Sequence, residues 1–176
     1  QVREILSKYG KIDILWWDTP TDMNPERAEK FLSILEQYPN MITNNRLGGG
    51  ISGDSETPEQ FVPSTGYPGR HWEVCMTMNN TWGFKKDDNN WKSTSDILLK
   101  LTDIVSKGGN FLLNVGPTPE GEIPQASIER LREVGKWMKT NSESIYGTGP
   151  SPFPYLPWGK ATRKGQKLYF HVVSWP

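Results

Sequence analysis

Short apolar segments alternate with amphipathic segments along this chain, and the alternation constrains the fold more than any other feature. The helical spacing of apolar residues predicts helices over residues 1–9, 25–38, 94–106 and 125–141. Apolar runs predict strands over residues 12–17, 41–46, 71–78 and 110–115. The pattern favours an α/β fold in which helices cover a parallel sheet. Since parallel crossovers are right-handed, four such units make either an open sheet or half of a (β/α)8 barrel.

Each predicted strand becomes polar at its carboxyl end. The polar residues at these ends are Asp18, Asn44-Asn45-Arg46, Asn79-Asn80 and Asn114. In α/β barrels this end of the strands carries the active site, so we expect a shared polar rim there. Nucleotide folds are disfavoured, because the chain has neither a Gly-x-Gly-x-x-Gly at a strand–helix junction nor a Walker-type lysine motif.

The composition argues against several classes of partner. Lys plus Arg and Asp plus Glu each number 20, so the formal net charge is 0, and electrostatics gives no reason to expect nucleic acid or an anionic membrane. No apolar run approaches the ~20 residues that span a bilayer. One cysteine and two distant histidines provide no His- or Cys-based metal site, and we expect no cofactor and no metal. Oligomeric state is left open.

A rim of Asp, Asn, Arg and Trp suits a carbohydrate. Amides and guanidinium groups hydrogen-bond hydroxyls, and indole rings cover the apolar faces of sugars. Glycoside hydrolysis needs two carboxyl groups at the scissile bond. Asp18 is the first candidate, and the second is sought among the acidic residues Asp54, Glu56, Glu59 and Glu73. On the residues alone, a structural role is favoured for each glutamate: Glu59 as a surface charge of the loop, and Glu73 as a buried carboxylate paired with Arg46 or a lysine.

The two adjacent tryptophans before Asp18 are expected to differ in role. Side chains alternate across a strand, so Trp16 shares the face of Asp18 and Trp17 takes the opposite one. We therefore expect Trp16 to shape a sugar pocket and Trp17 to pack beneath the helices.

The chain resembles the α-L-fucosidases of glycoside hydrolase family 29 over residues 1 to about 160. The resemblance rests on ordered motifs, which include Leu15-Trp16-Trp17-Asp18, Asn45-Arg46, Thr57-Pro58-Glu59-Gln60, Trp72-Glu73-Val74-Cys75, Thr81-Trp82-Gly83-Phe84 and Lys107-Gly108-Gly109-Asn110-Phe111. One departure is Thr19-Pro20, where family members often have glycine after the aspartate. That departure is expected to alter the loop beside the pocket.

The resemblance implies a retaining mechanism that releases fucose from fucosylated glycans. Asp18 would be the nucleophile and a glutamate the acid/base, with Glu59 in the long loop 47–70 as first choice and Glu73 as second. Trp16, Arg46 and Trp82 are the expected substrate-binding residues. The family also suggests a secreted, periplasmic or lysosomal location.

The same resemblance gives the expected domains. Residues 1–150 would be the C-terminal half of the catalytic (β/α)8 barrel, and residues 151–176 the start of a β-sandwich. Residues 167–175 read as a strand without a partner, so we expect a piece of a longer protein that is inactive by itself. The alternatives are a carbohydrate-binding protein without activity and a related retaining glycosidase for another sugar.

Overall fold

The computed structural model describes residues 1–18 and 20–175, and these form two compact units. The first unit comprises Gln1–Thr57 with Gly69–His71, and the second comprises Pro58–Pro68 with the chain from Trp72 onward. Each unit contains helices and a pair of parallel strands, and the second unit also contains an antiparallel hairpin. Thr19, whose loop is expected to differ from the family, lies outside the described residues.

The first unit is built around two parallel strands. Its elements are α1 (Val2–Lys8), β1 (Ile14–Leu15), α2 (Pro25–Leu35), β2 (Ile42–Thr43) and β3 (Ser55–Glu56). Strand β1 pairs with β2, Ile14 opposite Ile42 and Leu15 opposite Thr43. The parallel pairing confirms the arrangement predicted from the alternation of strands and helices.

Both strands are shorter than predicted, and β1 is less buried. Ile14 is 58% exposed and its partner Ile42 is 44% exposed, because the two side chains share one open face of the two-stranded sheet. The prediction of a strand covered on both faces over residues 12–17 is therefore wrong for this unit. The backbone ladder stops at Leu15, and beyond it the Asn44 side chain takes over the pairing by accepting a hydrogen bond from the Trp17 amide.

Local signals explain where helix α2 begins. The Asn24 side chain accepts a hydrogen bond from the Arg27 amide at 2.9 Å, and Pro25 occupies the first turn, where its missing N–H costs nothing. The helix ends at Leu35, three residues earlier than predicted.

The second unit contains β4 (His71–Thr77) except for its first residue, which belongs to the first unit. Its other elements are α3 (Thr94–Ser106), β5 (Asn110–Asn114), α4 (Gln125–Asn141), a short 3-10 turn (Ser142–Ser144), β6 (Gly159–Lys164) and β7 (Lys167–Val172). Strands β4 and β5 are parallel, with Glu73 opposite Asn110 and Thr77 opposite Asn114. The buried cluster of this unit consists of Trp72, Val74, Met76 and Ile104.

Helices α3 and α4 have the bounds that the sequence predicts. Ser93 caps α3 by accepting a hydrogen bond from the Asp96 amide, and Ile97 and Ile104 are buried. Leu131, an apolar residue of α4, is 40% exposed. None of the helices in residues 1–18 and 20–175 is long and apolar enough to cross a membrane.

The C-terminal strand has a partner, contrary to expectation. Strand β7 pairs antiparallel with β6, from Gly159 opposite Val172 to Lys164 opposite Lys167. The hairpin belongs to the second unit, where β6 packs against α3. Strand β6 has the sequence Gly-Lys-Ala-Thr-Arg-Lys, which is too polar to show the apolar alternation that predicts a strand.

Candidate active site

Three of the predicted site residues come together at the carboxyl ends of β1 and β2. The Nη1 atom of Arg46 lies 3.7 Å from Oδ1 of Asp18. The guanidinium carbon of Arg46 also lies over the indole of Trp16, 4.8 Å from the ring centroid. The Arg46 side chain is 15% exposed and that of Asp18 is 80% exposed. A largely buried cation thus contacts a carboxylate that is open to an incoming ligand.

Arg46 is held by a threonine that the sequence analysis did not select. Its Nε atom donates to Oγ1 of Thr57 and its Nη2 atom donates to the Thr57 carbonyl, both at 2.9 Å. The Thr57 hydroxyl in turn donates to Oδ1 of Asn45 at 2.7 Å. With two donors engaged on one residue, the guanidinium plane has a defined orientation. The position of Thr57 beside Glu59 in a fucosidase-like motif is the signal that could have identified it.

Trp17 faces away from this cluster, as predicted. Its ring meets Phe31 of α2 edge-on, with centroids 5.5 Å apart. The Trp17 backbone is bound by the Asn44 side chain, whose Oδ1 accepts from the Trp17 amide at 2.7 Å and whose Nδ2 donates to the Trp17 carbonyl at 2.9 Å.

Two of the acidic candidates serve structural contacts in the first unit. Oδ2 of Asp54 accepts hydrogen bonds from the Thr43 amide at 2.8 Å and the Thr43 hydroxyl at 3.2 Å. Glu56 accepts from Arg70 at 2.8 Å through one oxygen and from Asn45 at 2.7 Å through the other. Both carboxylates therefore brace the loop that follows β2.

The two glutamates chosen as acid/base candidates belong to the second unit. Glu59 is exposed, and its neighbours in the chain are anchored to β4: the Gln60 amide donates to the Cys75 carbonyl at 2.9 Å, and the Cys75 amide donates to the Pro58 carbonyl at 3.2 Å. Glu73 lies within β4 and is half-buried. Asp18 belongs to the first unit, so its pairing with either glutamate stays a prediction.

Trp82 is positioned by the end of β5. Its ring is exposed, and its carbonyl accepts a hydrogen bond from Nδ2 of Asn114 at 2.7 Å. Gly116 packs closely there, because a Cβ on that residue would lie 2.9 Å from the Trp82 carbonyl oxygen. The polar carboxyl end of β5 therefore holds the backbone of Trp82, the predicted substrate-binding residue of the second unit.

A buried aspartate that the sequence analysis missed organises the loop carrying Trp82. Asp88 accepts hydrogen bonds from the Asn80 amide at 2.9 Å, the Thr81 hydroxyl at 3.2 Å and the Asn90 amide at 3.2 Å. Desolvation raises the pKa of Asp88, but these hydrogen bonds outweigh it and hold the pKa below its usual value. Among the described residues, no group of three or more His, Cys, Asp or Glu side chains is arranged to hold a metal ion.

A parallel α/β arrangement with a carboxylate, a guanidinium and an indole gathered at its strand ends is typical of carbohydrate-active proteins. The alpha-L-fucosidase family model matches residues 1–143. The chain belongs to the alpha-L-fucosidase family.

Curated relatives and a solved structure cover most or all of the chain. The human tissue alpha-L-fucosidase is 31% identical over 198 residues, which cover 100% of the chain and 41% of that protein. The rat plasma alpha-L-fucosidase is 36% identical over 161 residues, covering 84% of the chain and 35% of the relative. The structure of alpha-L-fucosidase isoenzyme 1 from Paenibacillus thiaminolyticus is 42% identical with a TM-score of 0.91, covering 98% of the chain and 45% of that protein.

The chain thus spans about two fifths of the length of the human relative.

Proposed function

We propose that the whole protein is a retaining exo-α-L-fucosidase acting on fucosylated glycans. The observation that carries the proposal is the cluster of Asp18, Arg46 and Trp16 at the ends of β1 and β2, in a chain of the alpha-L-fucosidase family. The family supplies the substrate class. The cluster supplies an exposed carboxylate beside a fixed cation, which suits a nucleophile.

In the proposed first step, a carboxylate oxygen of Asp18 attacks the anomeric carbon of fucose. The bond from that carbon to the glycosidic oxygen breaks, and the oxygen takes a proton from the acid/base glutamate, for which Glu59 is the first choice. The product is a fucosyl ester of Asp18 and a free aglycone.

In the proposed second step, the glutamate, now ionised, removes a proton from water. The water oxygen attacks the anomeric carbon, the ester bond to Asp18 breaks, and fucose leaves with its original anomeric configuration. Retention requires the two carboxyl groups to lie ~5–5.5 Å apart in the complete site.

Arg46, Trp16 and Trp82 are the proposed sugar-binding residues. The Arg46 guanidinium directs donors toward Asp18, where negative charge changes during the reaction, and its two bonds to Thr57 keep it oriented. The exposed ring of Trp82 offers an apolar surface of the kind on which sugars stack.

The proposed domain arrangement follows the family. Residues 1–150 would supply the C-terminal half of a (β/α)8 barrel, which the parallel pairs β1/β2 and β4/β5 support. Residues 151–176 would begin a β-sandwich, and the antiparallel β6/β7 hairpin supports that assignment.

The test is the hydrolysis of an aryl α-L-fucoside by the full-length protein, with the first-formed sugar identified by proton NMR. We expect α-L-fucose as the initial product and no turnover of other aryl glycosides. Initial β-L-fucose would refute retention. Binding of fucose without turnover would identify a carbohydrate-binding protein, and turnover of a different sugar would identify another glycosidase; either result would overturn the proposal.

A further inference from the structure

The Asn44 side chain continues the strand pairing beyond the point where the backbone ladder ends. Strands β1 and β2 pair only as far as Leu15 and Thr43. Two residues after β1, the Trp17 amide donates to Oδ1 of Asn44 at 2.7 Å, and Nδ2 of Asn44 donates to the Trp17 carbonyl at 2.9 Å. A primary amide that donates and accepts on one residue imitates a neighbouring peptide group. Trp17 is therefore fixed as firmly as a residue inside a sheet.

Asn44 is itself rigidly mounted. Asn44 is only 2% exposed. Its backbone pairs with Ser55 in an isolated parallel bridge, in which the Asn45 amide donates to the Ser55 carbonyl at 2.9 Å. Gly53 packs directly on it: a Cβ on Gly53 would lie 2.4 Å from the Asn44 carbonyl oxygen. These contacts hold the backbone from which the Asn44 side chain extends.

Asn44 and Arg46 together hold three consecutive residues. Asn44 lies directly after β2 and Arg46 in the turn that follows, and both side chains reach the segment after β1. Asn44 holds the backbone of Trp17, whereas Arg46 contacts the side chains of Trp16 and Asp18. Asp18, with its side chain 80% exposed, directly follows the residue whose backbone Asn44 binds.

From this geometry we infer that Asn44 is a positioning residue for the nucleophile. The inference rests on the proposed function. Asn44 is buried and acts through the Trp17 peptide, setting the direction from which the Asp18 carboxylate reaches the anomeric carbon. Loss of the amide should slow formation of the bond to Asp18 and leave sugar binding largely intact, because the groups proposed to contact the sugar are unchanged.

The test is the rate at which 2-deoxy-2-fluoro-α-L-fucosyl fluoride labels the full-length protein. This reagent forms a slowly hydrolysed ester with the nucleophile, so kinact reports bond formation and KI reports binding. For Asn44→Ala we expect kinact to fall by about 10²-fold, the size typical of a misplaced reacting group, with KI nearly unchanged. Peptide mapping should still find the label on Asp18.

Two further variants separate positioning from general loss of stability. Thr162→Val removes another buried hydrogen bond from a side chain to the backbone, the 2.7 Å contact of the Thr162 hydroxyl with the Ser144 carbonyl in the second unit. It should lower the melting temperature without changing kinact. Asn44→Asp keeps the shape of the side chain and the acceptor for the Trp17 amide but loses the donor to the Trp17 carbonyl, so it should also lower kinact. This variant tests the positioning role if Asn44→Ala does not fold.

The outcomes are distinct. A fall in kinact confined to the Asn44 variants supports the positioning role. Wild-type kinact in Asn44→Ala, or in Asn44→Asp where the alanine variant is unfolded, would overturn it, as would an equal fall in Thr162→Val. A wild-type protein that is not labelled on Asp18 would refute the proposed mechanism, and the positioning role with it.

Discussion

The Arg46 guanidinium lies 3.7 Å from the Asp18 carboxylate, measured from Nη1 to Oδ1, while two of its other nitrogens are bound to Thr57. This relationship joins the ends of two parallel strands that are 28 positions apart in the sequence. It gives an exposed carboxylate a fixed cationic neighbour, which is the feature on which the proposed nucleophile depends.

Arg46→Lys is expected to reduce kcat/KM for an aryl fucoside by about 10²-fold, because a lysine cannot reproduce the fork of donors or the planar contact with Trp16. Steady-state kinetics of the full-length protein measure the change. The matched control is Arg27→Lys, since Arg27 makes an exposed bond to the Asp22 carbonyl and should tolerate lysine. Equal kcat/KM in Arg46→Lys and wild type would contradict the role given to Arg46.

Glu59→Ala is expected to affect poor leaving groups most. An acid is needed when the departing oxygen is basic, so the variant should lose about 10²–10⁴-fold on an alkyl fucoside and far less on a dinitrophenyl fucoside. Comparison of kcat/KM across leaving groups measures this. Glu73→Ala is the counterpart: Glu73 is half-buried in β4, and its replacement should affect all substrates alike. The opposite pattern would make Glu73 the acid/base.

Gly109→Ala is expected to destabilise the protein by about 1–3 kcal/mol. Its new Cβ would lie 2.5 Å from the ring of Trp72, which is 1% exposed and packed in the core of the second unit. Gly135→Ala is the matched control, because it meets open space within α4 and should stabilise the helix by about 0.5–1 kcal/mol. Urea unfolding measures both, and equal stability of the two variants would contradict the packing described at Trp72.

Stability is expected to fall on acidification through His171. Burial lowers the pKa of His171, a hydrogen bond with the Ser144 backbone only partly opposes this, and the ring lies 6.2 Å from Trp137 between centroids. As the pH falls below about 6.5, the unfolded chain binds a proton that the folded chain resists, so folding loses free energy until the folded pKa is passed.

As the pH is lowered below about 6.5, the melting temperature should therefore fall more steeply in wild type than in His171→Gln. His71→Gln is the matched control, because it makes the same substitution at an exposed histidine at the start of β4. Parallel slopes in wild type and His171→Gln would exclude this contribution of His171.

The sequence predicted the elements whose signals are local. Helix α3 begins at a capping serine and repeats its apolar residues at helical spacing, and its bounds match the prediction. Alternation of side chains along an extended chain is also a local rule, and it predicted that Trp17 packs beneath a helix, where its ring meets Phe31. The grouping of Arg46 with Asp18 followed from the carboxyl ends of parallel strands meeting at one edge.

The features that the sequence did not predict depend on non-local hydrogen bonds. The early end of β1 arises because Asn44, 27 positions later in the chain, binds Trp17 through its side chain. Thr57 holds Arg46 from a loop without any periodic pattern. Strand β6 owes its place to pairing with β7 across the turn at Gly165, whose φ of +58° suits glycine, rather than to apolar residues of its own.

The most direct test of the account is the kinetics of Asp18→Ala in the full-length protein, with and without azide. We expect hydrolysis of an aryl α-L-fucoside to fall by at least about 10³-fold, and azide to restore turnover by forming β-L-fucosyl azide in the space left by the carboxylate. Asp13→Ala is the control, since Asp13 precedes β1 and pairs with Lys11 on the surface at 2.5 Å. Wild-type activity in Asp18→Ala, or an α-configured azide product, would contradict the assignment of Asp18 as the nucleophile.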